Sequence, residues 1–292
     1  MDQRVVGIAA ALASAACWAL GSILFKKLGE QLSPVALTFA KGVVGTILLG
    51  LAVAVSGFQA VSFPDLLMLA LSGLLGIAVG DTLFFKALAG LGAHAIVVLL
   101  TLGQVFTLLL AVVWLDERPG AIEWLGIAFV VAGVALVLWV RLSEDGSTRI
   151  AGVMWGLAAV ACMAVSTIIA KEALAATDSV QAAFLRMLAG TAGIFLFAAP
   201  TRQIFGLVAP LKEPRFGGFF VFSVGVVTFG GFWLSLVAIK NVDVTVANTL
   251  GSTEPLFVLP LAAWFLREKI KGAVVAGSIL AVLGIVLLLR PW

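Results

Sequence analysis

The 292-residue chain is 62% hydrophobic and only 11% charged, with a mean hydropathy of +1.19, values that exclude an ordinary soluble domain. Its formal charge of +3 comes from Lys and Arg residues scattered between apolar runs, not from the basic patch that nucleic acid requires. Cys17 and Cys162 each fall inside an apolar run without CxxC or Cys/His neighbours, which gives neither a disulfide framework nor a metal site.

A membrane-crossing helix needs about 20 mainly apolar residues. The first such run, near 5–28, follows MDQR and contains the small residues ASAA, yet it exceeds a signal-peptide core in length and reads as a retained span. Trp18 stands near its middle, where an indole either lines a substrate path or fills the core. The second span, 34–56, opens on a proline and carries Lys41 about seven residues in, a depth that suits snorkelling to the interface or attraction of substrate. The third, 65–89, holds the deep acid Asp81, with Lys86 five residues on and off its helical face; the two can meet through a cavity or another helix, as an ion pair or as substrate contacts.

The fourth span, 93–115, begins with His94, the chain's one histidine, read as an interfacial residue or a proton relay; His94, Thr101 and Gln104 form a polar stripe along it. Spans near 120–141 and 150–175 follow, then 179–200 with Arg186 as shallow as Lys41, and 215–239 with Trp233 near its middle. The ninth, 243–266, is the most polar: Thr245, Asn248, Thr249 and Ser252 recur at helical spacing and lead to Glu254. Pro255 and Pro260 are the prolines inside spans, and each removes a backbone donor, so the carbonyls of Gly251 and Leu256 lose their helical partners beside Glu254. Irregular backbone at membrane depth survives where it is buried in protein or lines a wet cavity, which makes Glu254 a candidate for binding a cationic group or carrying a proton; a protonated carboxyl that simply packs helices is the alternative. A tenth span, 271–290, ends the chain, and Trp114, Trp124, Trp139, Trp155, Trp264 and Trp292 lie near span ends as an interfacial belt.

No segment alternates over barrel-strand length, so the fold class is an all-α integral membrane protein of ten transmembrane helices. An offset of 145 pairs Gly7 with Gly152, Cys17 with Cys162, Lys26 with Lys171, Phe39 with Phe184, Lys41 with Arg186, Gly45 with Gly190 and Thr46 with Thr191. The offset grows to 150, setting Gln104 against Glu254 and Asp81 against Gly231, and then to 151, setting Glu117, Gly126 and Gly133 against Glu268, Gly277 and Gly284. The chain is therefore expected to hold two five-helix repeats, residues 1–145 and 146–292. Five is odd, so the second repeat must enter the membrane inverted. Loop charges agree: Lys26, Lys27 and Lys86 favour the odd-numbered turns of the first repeat, whereas Arg202, Lys212, Arg215, Arg267, Lys269 and Lys271 favour the even-numbered turns of the second.

With this architecture, the stretches GDTLFFKALAGLGAHAIVVLLTLGQVFTLLLAVVWLDE (80–117) and STEPLFVLPLAAWFLREK (252–269) resemble the drug/metabolite transporter superfamily, specifically its EamA-type members, over nearly the full length. The resemblance implies a bacterial or archaeal inner-membrane carrier, usually an exporter of amino acids, related metabolites or drugs, that works by alternating access without a cofactor. It maps the family's basic residue in the second span of each repeat onto Lys41 and Arg186, its carboxylate before each last span onto Glu117 and Glu268, and its mid-span proline onto Pro255. The first repeat departs from this pattern with Val105 where a proline often stands.

The residues thus point to a secondary transporter with a small-molecule substrate, the lipid bilayer as its surroundings and no nucleic-acid partner, acting as a monomer or homodimer. No Walker A motif suggests ATP hydrolysis. The substrate and coupling candidates are Glu254, Asp81, Gln104, Asn248, Ser252, Thr101, Trp18, Trp233, Lys41 and Arg186, with Gly251, Pro255 and Pro260 breaking the backbone. An intramembrane enzyme on lipid-linked substrates would want clustered His, Asp or Glu, which the sequence lacks, and a non-transporting interaction subunit would want large soluble loops.

Overall fold

The computed structural model describes residues 3–103, 105–106, 120–142, 146–198, 209–241, 250–251, 253–266 and 271–288. Among them, no strand and a single 3-10 turn at Ala209–Lys212 are seen beside ten principal helices. They are α1 (Gln3–Leu28), α2 (Pro34–Ser56), α3 (Phe63–Leu91), α4 (Ala93–Leu100), α5 (Ala121–Leu142), α6 (Gly146–Ala176), α7 (Ser179–Ala198), α8 (Pro214–Gly225, continued by Val226–Trp233 and Leu234–Asn241), α9 (Glu254–Phe265) and α10 (Gly272–Leu288). Five stretches are long and apolar enough to cross a bilayer alone: Gln3–Leu28, Pro34–Ser56, Phe63–Leu91, Ser179–Ala198 and Pro214–Trp233. Shorter apolar stretches, Trp124–Val140, Ile150–Ser166, Glu254–Phe265 and Gly272–Leu287, lie in α5, α6, α9 and α10.

Local sequence fixes the helix ends. Ser33 accepts from the Ala36 amide ahead of Pro34, and Ser62 accepts from the Asp65 amide while its hydroxyl donates to the Asp65 carboxylate. Asp178 caps α7 by accepting from the amides of Val180 and Gln181. Gly57 and Gly92 take φ of 91° and 85° where α2 ends and where α4 begins, conformations costly to any residue with a Cβ.

The helices gather into two compact units, each drawing on both halves of the sequence. One comprises Met1–Leu24, Ala87–Leu157 and Phe229–Trp292, the other Phe25–Lys86 and Ala158–Thr228. In the first unit α5 and α10 pack most extensively. A Cβ on Gly277 would stand 2.8 Å from the Gly133 carbonyl oxygen, and one on Gly284 would stand 2.7 Å from that of Gly126. The contact is antiparallel, and adding 151 to 126 and 133 gives 277 and 284, so each repeat offers the same two glycines to the other. Such bare backbone permits the close approach that van der Waals packing in lipid depends on.

The second unit repeats the device with different side chains. In the crossing of α2 and α7, Thr46 and Thr191, which are 145 apart, meet each other at 3.3 Å. To one side Phe39 stacks on Phe195 with centroids 5.9 Å apart; to the other Phe184 faces Gly50. Because 39 and 50 plus 145 are 184 and 195, the two sides are the same contact seen from either repeat. A residue that meets its own counterpart marks a local pseudo-two-fold, here between antiparallel helices, which is what an inverted repeat requires.

First and third helices of opposite repeats also pack in matched pairs. Cys17 of α1 lies against Gly230 of α8, and Cys162 of α6 lies against Gly80 of α3. Each third helix is π-helical over eight residues, Leu74–Asp81 in α3 and Val226–Trp233 in α8. A π-helix redirects backbone carbonyls, and the Ser14 hydroxyl donates to the Gly231 carbonyl at 2.6 Å.

The glycine crossing yields a contrast. Gly284→Ala places a methyl 2.6 Å from the Val130 amide nitrogen, whereas Gly218 has nothing within 4 Å. Gly284→Ala is expected to lose about 2 kcal/mol, with a matching fall in the melting temperature of the purified protein. Gly218→Ala is expected to leave that temperature unchanged or slightly raised.

Candidate functional site

The charged side chains Lys41, Asp81 and Arg186 come together in the second unit, where α2, α3 and α7 meet. Lys41 Nζ pairs with Asp81 Oδ2, and the two side chains are 12% and 13% exposed. The ammonium also lies over the Phe85 ring, 5.8 Å from its centroid, within cation–π range. Thr82 donates to Thr38 Oγ1 at 3.0 Å, and the Thr38 hydroxyl donates to the Pro34 carbonyl at 3.0 Å, which ties the ends of α2 and α3 together beside the pair. Lys41 therefore turns inward rather than snorkelling. Asp81 takes its partner from the neighbouring helix rather than from Lys86 of its own.

Arg186, the counterpart of Lys41, enters the same crossing from α7. Its Nη2 donates to Ser166 Oγ at 3.2 Å, and Asp81 lies within coulombic reach of its guanidinium. Ser166 sits in a reciprocal lock: its hydroxyl donates to the Ser72 carbonyl at 2.8 Å, and the Ser72 hydroxyl donates to the Ser166 carbonyl at 2.7 Å. With its own proton committed, Ser166 Oγ is free to accept from Arg186. The Arg186 Nε is buried without a hydrogen-bond partner among the described residues. The helices close around the arginine backbone as well, since a Cβ on Gly73 would overlap the Arg186 carbonyl. Beside this cluster the same unit holds a cleft of about 360 Å³ whose lining is apolar apart from Thr82 and Lys86.

Other candidates lie in the first unit. Glu254 is partly buried and begins α9, with Pro255 in the first turn; Pro260 lies inside that helix. Just before it, Thr253 donates its hydroxyl to the Leu250 carbonyl at 2.6 Å, and Gly251 lies in the short helical piece upstream. Thr101 does the same just after α4, donating to the Val98 carbonyl at 2.6 Å, so the fourth span of each repeat carries a threonine that donates three residues back near its middle. Trp18 packs its indole against Gly231, whereas Trp233 is half-exposed at the end of the π-helical segment. Gln104, Asn248 and Ser252, together with Glu117, Glu268, Thr245 and Thr249, lie outside the described residues.

His94 is 1% exposed, its ring covered by α10 through Ser278. Ser278 commits its proton to the Val274 carbonyl at 2.8 Å, so the imidazole Nε2–H is the donor in the 3.0 Å bond to Ser278 Oγ. Sequence reasoning also missed the Ser72–Ser166–Arg186 network, because serines inside apolar runs carry no spacing signal when their partners are 94 and 20 residues away. Trp124, Trp139, Trp155 and Trp264 are 49%, 76%, 41% and 77% exposed on the protein's outside.

A family model, the EamA-like transporter family, matches residues 5–139 and again 150–290. The chain belongs to the EamA-like transporter family. It is a multi-pass membrane protein. The EamA-like chain is 32% identical over 75 residues, 26% of its length, to UDP-galactose transporter homolog 1 of Yarrowia lipolytica (strain CLIB 122 / E 150). That match spans only 20% of the relative. A crystal structure superposes with a TM-score of 0.64 over 98% of this chain and 95% of the other at 16% identity, a likeness of fold.

The ion pair makes a stability prediction for this EamA-like protein. Lys41→Gln or Asp81→Asn alone strands a charge in a low-dielectric crossing and is expected to cost about 3 kcal/mol. The double variant removes both charges and should recover most of that loss, which a double-mutant cycle on unfolding of the purified protein reads directly.

Proposed function

We propose that this EamA-like transporter is a secondary carrier that exports small metabolites such as amino acids, or drugs, across a bacterial or archaeal inner membrane by alternating access. The observation that supports this best is the pair of antiparallel crossings in which residues meet their own repeat counterparts, Thr46 with Thr191 and Gly126/Gly133 with Gly284/Gly277. Inverted repeats of one sequence can adopt two non-identical conformations and exchange them, and that exchange turns an outward opening into an inward one. On this reading the halves are residues 1–145 and 146–292. One chain supplies both, so a second copy is not needed to make a pathway. The 75-residue likeness to a protein named as a UDP-galactose transporter homolog supports polar metabolites within the substrate range.

Glu254 is the proposed coupling group. It begins a helix at a break within an apolar span, where a carboxylate is costly unless it is neutralised, and uptake of a proton neutralises it. Proton entry from one side and release on the other would couple the gradient to substrate export. The polar residues Thr101, Asn248, Ser252 and Gln104 and the aromatic Trp18 and Trp233 are proposed to serve the same pathway.

Vesicles reconstituted with purified protein test both parts. Wild type loaded with one amino acid or metabolite should take up labelled solute by counterflow and should concentrate it when a pH gradient is imposed. Glu254→Gln should keep counterflow within a few-fold of wild type and lose gradient-driven accumulation. Gradient-driven transport at wild-type rate in that variant would remove Glu254 from the coupling step.

A further inference from the structure

Resting on the carrier reading, we propose that Lys41 and Arg186 form a binding site for the anionic group of a small solute, a carboxylate or a phosphate, and that Asp81 holds this site as a built-in counter-ion until solute displaces it. Three features of the crossing carry this. Asp81 is paired with Lys41, and Arg186 of the same crossing is hydrogen-bonded to Ser166 rather than to a carboxylate, so in a medium that penalises unbalanced charge the cluster carries one positive charge that a second anion would balance. Its charged groups offer more donors than Asp81 takes up: the Lys41 ammonium, and the guanidinium of Arg186, whose buried Nε has no acceptor among the described residues. An acceptor-rich ligand group suits such a set, and guanidinium and ammonium are the donors that carboxylates and phosphates take most strongly.

The third feature concerns how Asp81 leaves. It is the last residue of the π-helical segment Leu74–Asp81. A π-helical segment holds one residue more than an α-helix of the same length, and passing that residue along the helix rotates the side chains at its edge. When Asp81 leaves, the solute's anion takes its place beside Lys41, which also keeps the Phe85 ring. The matching segment of α8 ends on Trp233, and the Gly231 carbonyl within it is held by Ser14, so the acid belongs to one repeat only. A cationic solute would meet two like charges here, which decides the sign of the ligand.

The test compares matched probes on protein in phosphatidylcholine nanodiscs: galactose 1-phosphate with galactose, and N-acetyl-L-alanine with N-acetyl-L-alaninamide. Binding is read by calorimetry and by melting temperature. The anionic member of at least one pair should bind ten-fold or more tightly than its neutral partner. Lys41→Gln and Arg186→Gln should each weaken it ten-fold or more, and Asp81→Asn should tighten it several-fold by removing the internal competitor. Equal binding of neutral and anionic probes, failure of both anions to bind wild type, or weaker anion binding by folded Asp81→Asn would each overturn the proposal. Should Asp81→Asn fail to fold, the wild-type preference and the Arg186→Gln result still decide it. Adding phosphatidylglycerol separates solute from lipid: if that lipid raises the wild-type but not the Arg186→Gln melting temperature and blocks the probes, the site serves a headgroup and the solute assignment falls. Counterflow in vesicles separates this idea from the carrier reading. Anion binding without counterflow removes the carrier and keeps the site, whereas counterflow of neutral probes, undiminished by Arg186→Gln, keeps the carrier and removes the site.

Discussion

In the hydrocarbon of a bilayer a backbone amide has no water to fall back on, and the helix–helix contact gains nothing from the hydrophobic effect. Every close crossing in this protein answers both constraints together. Where backbone meets backbone, as at Gly133 and Gly277, side chains are removed so that dispersion contacts form at short range. Where polar groups cross, they do so in closed sets, such as the two serines that exchange hydroxyl and carbonyl between α3 and α6, or Gln181 of α7, which accepts from the Gln59 amide and donates to its carbonyl. Among the described residues, the buried Nε of Arg186 is a place where this closure is incomplete.

The inverted repeat makes such closure economical. One solution serves both repeats: cysteine on glycine twice over, threonine meeting its own counterpart, and a threonine that donates three residues back near the middle of each fourth span. Symmetry of the scaffold throws the asymmetry of the chemistry into relief. Lys41 and Arg186 are counterparts, but the acid that answers them comes from α3 alone, while the corresponding part of α8 offers a glycine carbonyl to Ser14 and a bare surface to Trp18.

The architecture was largely legible because lipid enforces it: apolar length defines the spans, and the second span, bounded by Pro34 and Ser56, matches its predicted limits. Repeat pairs such as Gly126 with Gly277 were visible as offsets, and the structure adds what an offset cannot carry, that the pairs cross to touch each other's partners. Side-chain partners were less legible. Asp81 was placed near Lys86 because sequence sees neighbours along one helix, whereas the partner stands 40 residues back on α2. His94 was judged by its distance from a span end, which says nothing about which helix covers it; α10, through Ser278, does. The π-helical segments left no mark either, since an eight-residue widening changes no periodicity that so uniformly apolar a run could show.

A symmetric carrier with identical halves would have equal energies in its two facing states and no preferred resting form. Placing a carboxylate in one half breaks that degeneracy. The state in which Asp81 can reach Lys41 is lowered relative to its mirror state, in which the equivalent position of α8 has no acid to offer Arg186. A ligand that binds the mirror state more tightly, because there it has no internal carboxylate to displace, would offset the difference, so that binding levels the two states and lets the exchange proceed. On the proposed carrier reading, the uneven charge at the crossing of α2, α3 and α7 would do more than attract a solute: it would keep the empty protein on one side and make the loaded one free to turn.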